Sequence, residues 1–169
     1  MPLGTEAFDA AMAAPENGDL RAFFAYWKSK QVDARPPHRG DIDPTEIPAL
    51  LSNVLLIDIV GDPAYDFHYR LLGTNIVAVY GIDYAGASLS QMVPRTDVYD
   101  KIWEHHLHAA KGAIELRKDS LRWSQDDSRD HLDYLILLLP LRRRDDSVEL
   151  LIGYIHYLTE DRGPGWSVH

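Results

Sequence analysis

The sequence contains no cysteine among its 169 residues. This absence excludes disulfides, thiolate catalysis, cysteine-based zinc sites, iron–sulfur clusters and cysteinyl flavin adducts. The sequence also lacks a positive surplus, because its formal net charge is −9. A surface that binds duplex nucleic acid needs clustered Lys and Arg, so we expect no nucleic-acid partner for this domain.

Long apolar runs are absent as well. The longest one, around Leu135–Leu139, is far too short to span a bilayer. The first residues, Met1–Glu6, have neither the basic region nor the apolar core of a signal peptide. We therefore expect a cytoplasmic protein without a membrane span.

Familiar catalytic motifs are missing from the sequence. It contains no Gly-x-Ser-x-Gly, no phosphate loop, no dinucleotide fingerprint and no His-Glu-x-x-His. Acidic residues are plentiful, but they cluster in polar stretches. We therefore expect a protein that is not an enzyme.

The length predicts one domain with additional terminal pieces. Residues 1–18 should form a flexible leader, and residues 19–35 should carry an amphipathic helix. Its apolar stripe consists of side chains at helical spacing: Leu20, Phe23, Phe24 and Trp27. Either the chain's own domain or a second copy must cover this stripe. We predict a homodimer that uses these four side chains.

Five later segments have strand patterns. Two apolar runs, at about 53–60 and 66–72, flank Gly61-Asp62-Pro63 and predict a hairpin. In the second run, Phe67, Tyr69 and Leu71 should share one face. Three further strands are predicted at about 113–123, 131–141 and 149–159, after helical patterns of which the longest covers 95–111. This segregation of strands and helices indicates an α+β fold with an antiparallel sheet.

Three local segments resemble a bacterial single-domain subfamily of the PAS domain. They are Pro37-His-Arg-Gly-Asp-Ile-Asp-Pro44, Tyr69-Arg-Leu-Leu-Gly-Thr74 and Gly81-Ile-Asp-Tyr-Ala-Gly86. The resemblance covers about residues 23–92 by motif and the remainder by the order of elements. It implies a PAS domain over residues 36–160. Gly163-Pro164-Gly165 separately predicts an irregular tail at 161–169. That domain should have a five-stranded antiparallel sheet with helices on one face, in addition to the N-terminal helix.

The resemblance also implies a role in sensing and signalling. PAS domains enclose a cavity that holds haem, flavin, a small metabolite or nothing, and they commonly dimerise through the helix before the sheet. Many export a signal through an Asp-x-Thr-like segment, and Tyr157-Leu-Thr-Glu-Asp-Arg162 occupies that place here with Tyr instead of Asp. No effector module follows in this sequence. We therefore expect a stand-alone regulatory module that acts on a partner protein in trans, with or without a small ligand.

Seven side chains are candidates for ligand binding in the cavity: Tyr69, Arg70, Tyr80, Trp103, His106, Tyr134 and Tyr154. Aromatic side chains in a sheet-on-helix fold more often form core than a cofactor cage. The guanidinium of Arg70 suits a carboxylate or phosphate ligand. The interpretation that we favour for Arg70 is an ion pair with a nearby acid, namely Asp43, Asp58 or Asp83.

Three histidines lie on the helix predicted at 95–111, namely His105, His106 and His108. Haem-binding PAS domains use a helical histidine as axial ligand. The alternative function is therefore a haem-binding redox or gas sensor that uses His106 or His105. We favour surface histidines with one core histidine. A zinc site through Glu104, His105 and His108 lacks a fourth ligand, so we predict no metal.

Overall fold

The computed structural model describes residues 3–61, 65–121, 132–143 and 146–158. The predicted hairpin turn beyond Gly61, the predicted polar loop at 124–130 and the segment from residue 159 onwards, with the predicted irregular tail, lie outside these residues.

The described residues form one five-stranded antiparallel sheet. The strands are β1 (Val54–Val60), β2 (Asp66–Leu72), β3 (Glu115–Ser120), β4 (Asp133–Arg142) and β5 (Val148–Tyr157). Their spatial order is β2-β1-β5-β4-β3, and each neighbouring pair is antiparallel. The α+β fold and the antiparallel sheet predicted from the sequence are confirmed.

Both faces of the sheet are covered, which explains why β4 is apolar along nearly its whole length. Tyr134 and Leu138 point to one face, where they join the larger part of the core. Leu135 and Leu137 point to the other face and join a second apolar cluster. We call these the inner face and the outer face, respectively.

Three helices cover the inner face: α3 (Thr74–Tyr80), α4 (Leu89–Met92) and α5 (Asp97–Ala110). Helix α3 ends at Gly81, whose φ of 74° requires a residue that tolerates the left-handed region. Helix α4 begins with a capping box between Ser88 and Gln91. Buried side chains of all three helices join one core cluster with inner-face side chains of β1, β2, β4 and β5.

Two helices lie on the outer side, α1 (Thr5–Ala13) and α2 (Gly18–Ser29). Leu20, Phe23 and Trp27 of α2 are at most 1% exposed and pack within the outer-face cluster. The Trp27 indole N–H donates to the carbonyl oxygen of Pro140 at 3.1 Å. The predicted amphipathic helix is therefore present, and its apolar stripe covers the chain's own sheet. None of the described helices is both long and apolar enough to cross a membrane.

Residues 5–13, within the segment predicted as a flexible leader, form helix α1. The sequence of this helix lacks a clear apolar stripe, and accordingly none of its side chains is fully buried. Phe8, Ala11 and Met12 are partly buried against the outer-face cluster. Polar contacts add to this packing, because the Asn17 amide donates to Ala11 O and Arg21 donates to Met12 O. Phe8 packs edge-on against Phe24.

Candidate functional site

A small cavity lies between the inner face of the sheet and helix α5. Its free volume is about 20 Å³, which is enough for one water molecule. Its polar lining consists of Tyr69, Tyr80, His105, His106, Arg117, Asp119 and Tyr134.

Tyr69 and His106 form the best-defined contact of this cavity. The Tyr69 hydroxyl lies 2.7 Å from His106 Nε2, and His106 Nδ1 lies 2.8 Å from the carbonyl oxygen of Ile102. A carbonyl oxygen only accepts, so Nδ1 carries the proton and donates it to Ile102. In the neutral ring Nε2 is then an acceptor, and the Tyr69 hydroxyl donates to it.

His105 is buried as well, at 2% exposed, which corrects the expectation of a single core histidine on this helix. Its ring hydrogen-bonds the backbone of Glu115, while Nε2 has no hydrogen-bond partner among the described residues. The bonded nitrogen is therefore Nδ1, which donates to the Glu115 carbonyl. This leaves the lone pair of Nε2 buried and unsatisfied beside the cavity.

Arg117 is 3% exposed, and it pairs with Asp119 two residues along β3. Its Nε–H has no acceptor among the described residues. The cavity is therefore lined both by an unsatisfied donor, from Arg117, and by an unsatisfied acceptor, from His105. Buried polar atoms without partners are rare in folded proteins and often mark a bound water or ligand.

Burial keeps the histidines neutral. It lowers the pKa of His106 to about 4, and the neighbouring Arg117 acts in the same direction. The pKa of His105 also falls well below its ordinary value, because of burial and the nearby His106 and Arg117. Burial raises the pKa of the Tyr69 hydroxyl, which stays protonated as a donor. At neutral pH the cluster thus contains two uncharged imidazoles beside one ion pair.

A β-bulge positions Tyr69. Leu56 pairs with Leu71 whereas Ile57 pairs with Tyr69, so Arg70 is the extra residue on β2. The bulge reverses the alternation beyond Tyr69, so the prediction that Leu71 shares a face with Tyr69 is wrong. Leu71 is 48% exposed, and Leu72 joins Tyr69 in the inner core instead.

The outer edge of β2 is bonded to the segment that precedes α4. The Tyr69 amide donates to Ala87 O at 2.9 Å, and the Gly86 amide donates to Tyr69 O at 2.7 Å. The backbone on both sides of the Tyr69 ring is therefore fixed.

Four of the seven candidate side chains line the cavity together, namely Tyr69, Tyr80, His106 and Tyr134. The other three do not join them. Trp103 borders a separate surface pocket and donates to Tyr65 O at 3.4 Å. Arg70 is exposed and forms an ion pair with Asp58 at 2.8 Å.

Tyr154 lies on the outer face, where its ring is 5.3 Å from Phe23. Its placement in the inner cavity has to be corrected. Along β5 the side chains alternate between two apolar faces, so the sequence did not indicate which face each residue takes.

Sequence reasoning missed Arg117. The predicted strand at 113–123 had mixed polarity, and charged residues are seldom fully buried. One signal was available, because Glu115, Arg117 and Asp119 alternate with Leu116, which packs on the outer face. That alternation places the three charged residues on the inner side.

The cavity does not fit a haem. Sites for ligands of that size occupy several hundred Å³, whereas this cavity has about 20 Å³. Both ring nitrogens of His106 are hydrogen-bonded and unavailable as axial ligands. The alternative of a haem sensor is therefore not favoured.

Comparison with known proteins places the chain in a family. The family described as PAS domain matches residues 16–156. The chain therefore belongs to the PAS domain family, as the sequence motifs suggested, and this membership fits a signalling sensor module. No curated protein matches the chain.

Solved structures of LOV proteins are also similar to the chain. One is a Rhodobacter sphaeroides LOV protein, with a TM-score of 0.48 and 14% identity over 71% of this chain and 70% of that one. Another is a fungal LOV domain photoreceptor, with a TM-score of 0.48 and 11% identity over 88% of this chain and 97% of that one.

Proposed function

We propose that this chain is a stand-alone sensory and regulatory module whose sensing site is the polar cluster of the inner cavity. The observation that carries the proposal is the pair of unsatisfied atoms, His105 Nε2 and Arg117 Nε, beside one cavity. A molecule that donates to the first and accepts from the second gains two buried hydrogen bonds. The ligand class is therefore a small, neutral, polar molecule, with water as the resting occupant.

The response would pass through Tyr69. A ligand larger than water needs more space than the cavity provides, so Tyr69 and His106 must separate to admit it. Because Tyr69 pairs in register with Ile57 of β1 and its backbone is hydrogen-bonded to residues 86–87, a moved ring shifts the bulge at the edge of the sheet. The ligand acts only if it binds the shifted state better than the resting state. This function needs no catalytic step.

The output would be a protein contact in trans, in the cytoplasm. The homodimer predicted through Leu20, Phe23, Phe24 and Trp27 stays a prediction. Leu20, Phe23 and Trp27 are buried against the chain's own sheet, so this dimer requires the exchange of α2 between two chains. Native mass spectrometry of freshly purified protein tests it, because that measurement reports the oligomeric state and any retained molecule together.

The sensing site is tested by NMR of the histidine ring nitrogens during a titration with formamide, which carries one donor group and one acceptor. We expect a saturable shift of His105 Nε2, which is lost in Arg117→Met. Tyr154→Phe is the matched control, because it changes a tyrosine on the other face of the sheet. A titration that leaves His105 Nε2 unchanged would contradict the proposed site.

A further inference from the structure

A second pocket lies on the outer face of the sheet, away from the polar cluster. Its volume is about 320 Å³, within the range of small-molecule sites. Its walls come from the segments 39–52 and 71–74, together with outer-face side chains of β1 and β5. Two parts of the chain that are distant in sequence, each overlapping one of the motifs noted above, therefore meet at one site.

The walls of this outer pocket are almost entirely apolar. Ile42, Ile47, Val54 and Leu56 line it and belong to the outer-face core. Leu71 also lines it, and about half of this side chain remains exposed. An occupant with an apolar body would remove this surface from water, which is favourable in proportion to the area covered.

Backbone contacts fix the shape of the pocket. The Gly73 amide donates to Val54 O at 2.8 Å. A Cβ atom at Gly73 would lie 2.3 Å from the carbonyl oxygen of Ser52, so only glycine lets the two wall segments approach this closely. The pocket therefore exists before any ligand arrives, which lowers the cost of binding.

Arg39 is the charged residue in the lining. Its guanidinium donates to Ile42 O at 3.2 Å, and no carboxylate among the described residues lies within ion-pair distance of it. Two neighbouring acids are engaged elsewhere, because Asp43 accepts from Thr45 and Glu46 pairs with Lys30. The remaining guanidinium donors are thus available to an anion.

We propose that this outer pocket binds an aliphatic carboxylate, with the alkyl chain against the apolar walls and the carboxylate paired with Arg39. A neutral alkyl compound would leave the guanidinium unmatched, and a cationic one would be repelled by it. A carboxylate matches the planar fork of Arg with two parallel hydrogen bonds. The site is distinct from the inner cavity and does not depend on the proposed sensing function.

The test is an amide NMR titration of the full chain with decanoate below its micellar concentration, with 1-decanol as the neutral probe of equal length. We expect saturable shifts at residues 42–54 and 71–74 with decanoate, and weaker binding of decanol. Arg39→Gln should weaken decanoate binding roughly five- to tenfold and leave decanol binding unchanged. Arg70→Gln is the matched control, because it removes a positive charge that lies outside the pocket.

A second variant covers the case in which Arg39→Gln fails to fold. Leu71→Glu keeps Arg39 but places a negative charge at the exposed rim of the pocket, and it should weaken decanoate binding at least tenfold. The proposal is overturned if the wild-type protein shows no saturable shift. It is also overturned if decanol binds as tightly as decanoate, or if the shifts centre on the inner cavity. The formamide titration reports on His105 in the inner cavity, whereas the decanoate titration reports on the outer pocket. Each proposal can therefore be overturned without affecting the other.

Discussion

The two faces of the sheet differ in what they bury. The inner face buries titratable groups: Tyr69 and His106 share a hydrogen bond, and Arg117 pairs with Asp119. The outer face buries apolar side chains under α2, and the Trp27 indole makes a single directed bond there. Adjacent residues of one strand take part in both environments, because Leu116 points outward while Arg117 points inward.

This difference predicts that the two faces of the sheet contribute to stability in different ways. Apolar packing is non-directional and grows with the buried area, so the outer face should lose stability when volume is removed. The contribution of a buried hydrogen-bonded cluster instead depends on single atoms and on their protonation. Isosteric substitutions and changes of pH on the inner face should therefore change the free energy of unfolding. Four predictions test this contrast.

The largest effect is expected on the outer face. Trp27→Ala removes a fully buried ring and its bond to Pro140, and we expect it to lower the free energy of unfolding by about 3–5 kcal/mol. Chemical denaturation measures the change. Phe24→Ala, which removes a half-buried ring from the same helix, should cost clearly less. Equal losses from the two variants would show that α2 is not anchored through Trp27.

The second effect concerns pH on the inner face. His106 is neutral in the folded state, with a pKa of about 4, whereas an unfolded chain has a histidine pKa near 6.5. The unfolded state binds more protons between these values, so stability is complete above pH 6.5 and falls as the pH is lowered. By pH 5 the loss from His106 should reach roughly 2 kcal/mol, and His105 should add to it.

Denaturation measured at pH 7, 6 and 5 checks this slope, above the range in which most carboxylates titrate. A free energy of unfolding that stays constant from pH 7 to pH 5 would rule out two buried neutral imidazoles.

The third effect is smaller and concerns one atom. Tyr69→Phe removes the hydroxyl that donates to His106 and leaves a buried acceptor unsatisfied. We expect a loss of about 1–2 kcal/mol in the free energy of unfolding. Tyr84→Phe, at a less buried position, should change stability by less than about 0.5 kcal/mol. If the two variants lose the same stability, the Tyr69–His106 bond contributes nothing specific.

The smallest effect is expected outside both buried clusters. Arg70→Gln breaks an exposed ion pair with Asp58, and pairs of this kind contribute about 0.2–1 kcal/mol. Raising the salt concentration should reduce the difference between the variant and the wild type. A loss well above 1 kcal/mol would mean that Arg70 has a structural role beyond this pair.

Native mass spectrometry tests the predicted dimer through α2 separately, because a helix that is buried within one chain can also exchange between two chains. The sequence predicted the apolar stripe of Leu20, Phe23 and Trp27 from helical spacing alone. It left open what covers this stripe, because an amphipathic pattern states that a face is buried without naming its partner.

The candidate site was predictable only in part. Four of its side chains could be named because aromatic residues and a helical histidine cluster along the elements that enclose a PAS cavity. Arg117 was missed, and Tyr154 was placed on the wrong face. Tyr154 lies on β5, which is buried on both sides, so hydrophobic alternation gives little information about its orientation. Arg117 lies on β3, where the alternation was informative, but charged residues are seldom fully buried.

The sequence by itself determined the elements and the family, because helical spacing, strand-forming runs and local motifs are properties of neighbouring residues. Only the tertiary structure decided which side of the sheet each strand residue faces. The bulge at Arg70 and the pairing of Tyr154 with Leu137 depend on how each strand aligns with its neighbour, which the pattern of one strand alone does not fix. The lowered histidine pKa values follow from that arrangement, because burial and the nearness of Arg117 arise only when distant segments pack together.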